Sequence, residues 1–300
     1  LLLMLAAATC RAQDGAPYLF VLGVAQDGGY PQAGCFAEHC MPGWQDPAER
    51  RHATSLAVIE PATGRRIMFE ATPDFPAQLY ALEAEAPRSN ELLTAIFLTH
   101  AHIGHYTGLM FLGREVMGTR RVPVYAMERL RDFLVTNGPW SQLVALQNID
   151  LRGLTAGRGE KVGGITVTPF LVPHRDEFSE TVGYRIDGPS RSALFIPDID
   201  KWSDWPTDIS ELVKTVDYAF VDATFFADGE LRGRDMSSIR HPYVTESMEV
   251  FAPLSPEDRA RVWFIHMNHS NPLLDPQSEQ ARWVRDAGFN VASEGLRLPL

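Results

Sequence analysis

The sequence predicts a mixed α/β fold, and three observations carry that expectation. The chain has 300 residues, 45% of them hydrophobic, enough for one large domain or two small ones. Short apolar runs of strand length recur along it, bounded by Gly, Pro and Asp. Segments with helical spacing lie between those runs.

Taken in order, residues 18–24 read as a strand, followed by a glycine-rich loop through residue 40 that Pro31 stiffens. Residues 54–60 and 66–70 form two strands around the turn Pro61-Ala62-Thr63-Gly64. Residues 75–85 have helical spacing, with Leu79 and Leu82 on one side and a stop at Pro87. The run 95–98 is a buried strand, 122–126 another, and 128–135 a helix. The loop Gly138-Pro139-Trp140 has the aromatic character of loops that cover a substrate cleft, and surface packing accounts for it equally well. Further strands fall at 163–172, 182–186, 193–196, 217–225, 261–265 and 290–292, with helices at 246–251 and 276–287.

The net charge of −11, spread without blocks, argues against nucleic acid as the partner and leaves a small-molecule substrate. No stretch of the mature chain is long and apolar enough to span a membrane. The first eight residues are Leu, Met and Ala, followed by Thr9-Cys10-Arg11-Ala12, which reads as the remnant of a secretory signal in residues 1–12. On that reading the folded domain is 13–300, periplasmic or secreted, with a mature end near Gln13. Lipoprotein anchoring through Cys10 is the weaker alternative.

Chemistry concentrates at the end of the strand 95–98. Three of the chain's nine histidines, His100, His102 and His105, fall within six residues. Residues two apart in extended backbone point the same way, so His100 and His102 can reach one point. Gly104 permits the sharp turn that brings His105 back toward it. Neutral imidazole is the commonest metal ligand, and zinc and iron sites use several.

The stretch His100-Ala-His102-Ile-Gly104-His105-Tyr-Thr-Gly-Leu, with an apolar strand and Thr99 before it, resembles the His-x-His-x-Asp-His signature of the metallo-β-lactamase superfamily. That resemblance implies a single αββα sandwich with the site at one sheet edge. It also implies further ligands at later strand ends: His174, followed by Gly183-Tyr184-Arg185; the bridging Asp198, with Asp200 as a competitor; and His266. His269 follows as an outer partner or spare ligand. His100, His102 and His174 would hold one metal, His105 and His266 a second, with Asp198 between them. Asp222, ahead of Ala223-Thr224, and His241 resemble the orienting carboxylate and proton donor of the nuclease branch. Gly-Gly-Tyr-Pro-Gln, residues 28–32, and the following Cys35 and Cys40 resemble the PqqB branch, which serves pyrroloquinoline quinone biosynthesis. Relatives of that loop use cysteines on a structural zinc; here His39 could join, or the pair could be a disulfide or free thiols.

The function so implied is hydrolysis of an ester, lactone or phosphodiester by metal-activated water, with one or two zinc ions, iron and manganese being the other candidates. Two alternatives accompany it: iron-dependent oxygenase chemistry in quinone cofactor synthesis, and non-catalytic carriage of a quinone or its precursor. One departure stands out. The signature Asp, which normally holds the second metal, is Gly104 here. The second site is therefore expected to be weakly occupied unless Asp27 substitutes, and Gly104→Asp is expected to strengthen it.

Overall fold

The computed structural model describes residues 15–88 and 91–300. The proposed signal region, with Cys10 and Gln13, lies outside the described residues. Among the described residues, fourteen strands are arranged in two seven-stranded sheets. The first sheet contains β1 (Tyr18–Gly23), β2 (Ser55–Glu60), β3 (Arg65–Phe69), β4 (Ala95–Phe97), β5 (Val122–Ala126), β6 (Ile149–Gly153) and β14 (Arg297–Pro299), in the order β14-β1-β2-β3-β4-β5-β6. The second contains β7 (Glu160–Val162), β8 (Ile165–Leu171), β9 (Val182–Asp187), β10 (Ser192–Ile196), β11 (Tyr218–Asp222), β12 (Val262–Ile265) and β13 (Asn290–Val291), in the order β13-β12-β11-β10-β9-β8-β7. Each sheet is antiparallel in one half and parallel in the other; β3 to β6 and β10 to β13 are the parallel runs.

The central strands are largely apolar because both faces of the sheets are covered there. In β2 every residue is buried, and successive side chains go to opposite sides. Leu56 and Val58 enter the core between the sheets, while Ala57 and Ile59 pack toward the outer helices. In β3 and β4, Ile67, Phe69 and Phe97 face inward, Met68 and Ile96 outward. Phe69, Phe97, Tyr184 and Phe195 mesh between the sheets with ring separations of 5.5–6.1 Å. The αββα sandwich implied by the resemblance is the observed fold.

The predicted elements fall where expected to within a few residues; the helix Phe75–Glu85 and the strand β5 match at both ends. Sequence reasoning passed over β6, β7 and β14, and the helix Ile209–Val213. All four are short, and β6 and β14 carry charged side chains that break the apolar pattern. Of the two readings of Gly138-Pro139-Trp140, packing is the one observed: Trp140 begins the helix Trp140–Ala145 and packs on Tyr106, ring centroids 4.8 Å apart.

Candidate metal centre

The site gathers at the ends of strands along one edge of the sandwich, where parallel strands present their C-terminal ends and ligands commonly bind. His100, His102 and His105 follow β4; His174 follows β8; Asp198 follows β10; Asp222 ends β11; His266 follows β12. The two sheets are tied together here, because the Tyr184 hydroxyl donates to the Leu98 carbonyl just ahead of His100.

Two donor sets form. In the first, His100 Nε2, His102 Nδ1, His174 Nε2 and Asp198 Oδ2 face one another. Their separations run from 2.8 Å (His100 to His102) through 3.1 Å (His174 to Asp198) and 3.3 Å (His100 to Asp198) to 4.0 Å (His102 to Asp198). A zinc ion with four bonds of about 2.0–2.1 Å has donors about 3.3 Å apart, so this set has the span of a tetrahedral site. In the second set, His105 Nε2 lies 3.2 Å, and His266 Nε2 3.8 Å, from Asp27 Oδ1. His105 Nε2 is also 3.7 Å from Asp198 Oδ2, so that carboxylate lies within reach of both sets.

A polar group stands behind each ligand imidazole, hydrogen-bonded to all of these rings but that of His105. His100 Nδ1 pairs with Thr99 Oγ1 at 2.8 Å, His102 Nε2 with Glu177 at 3.2 Å, and His174 Nδ1 with Asp200 at 3.2 Å. His105 Nδ1 stands 3.6 Å from Glu70, and His266 Nδ1 3.0 Å from Thr224 Oγ1. Such partners fix which ring nitrogen faces a metal. Asp200, the competitor to Asp198, is thus placed behind His174 instead. Glu70, buried at the end of β3, escaped sequence reasoning because Phe69-Glu70-Ala71 looks like an ordinary strand end. Its φ of 75° and that of His266, 69°, are left-handed in residues other than glycine. Strain of that kind, of order 1–3 kcal/mol each, persists where surrounding structure enforces it and concentrates at functional sites.

The electrostatics ask for a cation. Burial alone would raise the carboxyl of Asp198, yet His174 and His241 hold it well below the usual range. Burial likewise opposes ionisation of Asp27, and the neighbouring His105 and His266 overcome it and hold its carboxyl well below the usual range. Burial opposes charge on His105, but Glu70 and Asp27 carry its pKa well above the normal value. His100 is pushed the other way, by burial and then by His105, into the neutral form that ligates. Asp27 Oδ1, His105 Nε2 and His266 Nε2 are buried with no hydrogen-bond partner. Buried polar atoms are normally satisfied, so this arrangement fits a metal ion.

His241 adjoins both sets. Its Nδ1 is 2.8 Å from Asp222 Oδ2 and 3.2 Å from Asp198 Oδ1. Burial disfavours its charged form, but Asp222 and Asp198 prevail and raise its pKa. Asp222 is itself held by the backbone N–H of Ile199 and by Thr224. His241 lines an open cleft of about 660 Å³ together with Asp27, His174, Arg175, Arg234 and Arg240.

A separate cluster joins Cys35, His39, Cys40 and His269, with ligand atoms within 4.8 Å of one another. Cys35 and Cys40 are bonded as a disulfide, the pairing among the three alternatives that the structure contains. His269, expected as an outer partner or spare ligand, lies instead beside His39, ring centroids 5.6 Å apart. With the cysteines reduced, the four side chains are a zinc-type donor set.

Known proteins share this fold. A family model described as a beta-lactamase superfamily domain matches residues 65–267. Coenzyme PQQ synthesis protein B of Xanthomonas euvesicatoria pv. vesicatoria is 30% identical over 312 residues, covering 94% of this chain and 99% of that protein. Its counterpart in Xanthomonas oryzae pv. oryzae is 29% identical over 307 residues, with the same coverage. Among solved structures, zinc-bound PqqB from Methylobacterium extorquens superposes with a TM-score of 0.80 at 22% identity, covering 94% of this chain and all of that one. A diphosphatase of the PhnP family superposes with a TM-score of 0.67 at 23% identity, covering 95% and 97%. The chain belongs to the metallo-β-lactamase superfamily and, within it, to the PqqB-like family.

Proposed function

We propose that the protein is a metal-dependent hydrolase of a small anionic ester, with a phosphodiester as the preferred class. The observation that supports this most is the convergence of six family-type ligands, His100, His102, His105, His174, Asp198 and His266, beside a carboxylate-backed His241 in an open cleft. Bound zinc, or iron or manganese on the same donors, would supply a water of pKa near 7 and polarise the scissile bond. The chain's own residues do the rest. Asp222 occupies Nδ1 of His241 and so leaves Nε2 as the ring nitrogen available to protonate a leaving group. Arg175, Arg234 and Arg240 line the cleft and offer donors to an anionic substrate on an otherwise acidic protein. Arg240 is oriented by Asp200 and Asp204.

The name shared by the curated relatives places them in PQQ synthesis, and the second reading for this chain is oxidative chemistry on iron in such a pathway. One experiment separates the two: metal content of protein purified without added metal, with bis(p-nitrophenyl) phosphate hydrolysis and oxygen consumption measured in parallel. Zinc or manganese with hydrolysis supports the first reading. Iron with oxygen uptake and no hydrolysis overturns it. We also propose that the protein is exported, a reading that the Cys35–Cys40 disulfide supports, since such bonds persist in oxidising compartments. N-terminal sequencing of the mature protein should begin near Gln13; a soluble cytoplasmic form retaining residues 1–12 would contradict export.

A further inference from the structure

Gly104 stands where the family signature has its second-site carboxylate. Its backbone is not the reason. It lies in the short helix Ile103–Tyr106 and is absent from the positive-φ glycines among the described residues. The turn that returns His105 therefore does not require glycine, which corrects the expectation drawn from sequence. Space is the reason. A Cβ at position 104 would stand 2.2 Å from Asp27 Oδ1, 2.5 Å from its Cα and 2.8 Å from its Cγ. No side chain fits there while the loop carrying Asp27 is in place, since the Cα of residue 27 is part of the clash.

Asp27 fills that volume from the loop after β1. Its Oδ1 is buried without a hydrogen bond and faces two imidazole nitrogens in the same condition, His105 Nε2 at 3.2 Å and His266 Nε2 at 3.8 Å. The loop is held by backbone pairing of Gln26 with Met267, and by Asn268 Nδ2 donating to Gln26 Oε1 at 2.6 Å. Both anchors follow His266 directly, so the carboxylate and that histidine are positioned together.

We propose that Asp27 and Gly104 are an exchanged pair. The anionic ligand of the second metal is supplied across the site by Asp27, and Gly104 is the clearance it requires. The second set is then complete, with His105, His266 and Asp27 as its own donors and Asp198 shared. This rests on the metal-dependent reading above and deepens it, because it makes the centre dinuclear.

The test is calorimetric titration of chelator-stripped protein with zinc under non-reducing conditions, which keeps Cys35 and Cys40 out of the count. Wild type should take two equivalents. Asp27→Ala and the near-isosteric Asp27→Asn should keep the first and bind the second at least 100-fold more weakly, with unchanged melting midpoints. Gly104→Asp alone should also lose the second equivalent, contrary to the expectation from sequence, because its Cβ meets the Cα of residue 27 as well as the carboxylate. Two equivalents at wild-type affinity in Asp27→Asn, or tighter second binding in Gly104→Asp alone, would overturn the exchange. So would a wild-type chain holding one equivalent that disappears in His100→Ala/His102→Ala; that result leaves the hydrolase reading standing. A wild-type chain that binds none overturns both.

Discussion

The two halves of the metal centre are built from the same chemistry by different routes. The first draws His100 and His102 from one strand end and receives His174 and Asp198 from the opposite sheet, as the family pattern implies. The second keeps His105 and His266 but meets its third partner, Asp27, on a loop nearly eighty residues before the histidine turn. The halves also differ in how they are braced. The His174 ring is backed by Asp200, itself tied to Arg240 at the surface, whereas the His105 ring is backed by a fully buried Glu70. A ligand position is thus defined by a point in space, and more than one chain segment can deliver a carboxylate to it.

That comparison can be broken from either side. The largest effect should come from His100→Ala with His102→Ala. Removing two of four donors should abolish the first equivalent and reduce hydrolysis to background, as read by metal analysis and ester turnover. Next is His241→Asn, which should lower kcat by roughly 10²–10⁴ while both equivalents remain bound, since a proton donor and not a ligand is lost. If metal content falls along with kcat, His241 is a ligand and its assigned role is wrong.

The outer partners sharpen the contrast. Asp200→Asn should weaken metal in the first set and Glu70→Gln in the second, each by roughly 10–100-fold and each sparing the other half. Equal losses in both sets from either substitution would show that the halves do not act separately.

The smallest effect concerns the strand end that leads to Asp27. The His52 carbonyl accepts from the backbone N–H groups of Val24 and Ala25, and its ring pairs with Glu294 at 3.1 Å. The hydrogen bond to Glu294 raises the His52 pKa above its ordinary value, against the effect of burial. A raised folded-state pKa contributes stability that is fully present below the unfolded value, about 6.5, and is lost as pH rises through the folded value. His52→Gln should therefore cost up to about 0.5 kcal/mol near pH 5.5, allowing for the partial exposure of the pair, and nothing at alkaline pH. Denaturant unfolding at the two pH values reads the difference; an equal cost at both would remove the ion pair from the account.

Much of this was legible in the sequence. The long apolar strands announce themselves because both faces are buried, and the histidines at strand ends stand out because buried sheets otherwise carry few polar groups. His174, Asp198 and His266 could be matched one at a time from a family pattern. What could not be read was proximity across the fold. Nothing local marks Glu70 as the partner of His105, or His269 as a neighbour of Cys35 and Cys40, because those contacts exist only once the sheets pack. Gly104 shows the same limit most sharply. Read alone, it is a missing ligand and a flexible turn; in three dimensions it is the space beside Asp27. The short edge strands β7 and β14 escaped for a different reason, having too few apolar residues for a period to register.

The most direct measurement is a crystal structure of the zinc-loaded protein with anomalous data collected at the zinc edge. The account predicts two peaks on either side of Asp198, one among His100, His102 and His174 and one among Asp27, His105 and His266, with the Asp27 carboxylate within bonding distance of the second. A single peak in the first set, or a second peak with Asp27 turned away from it, would contradict the account.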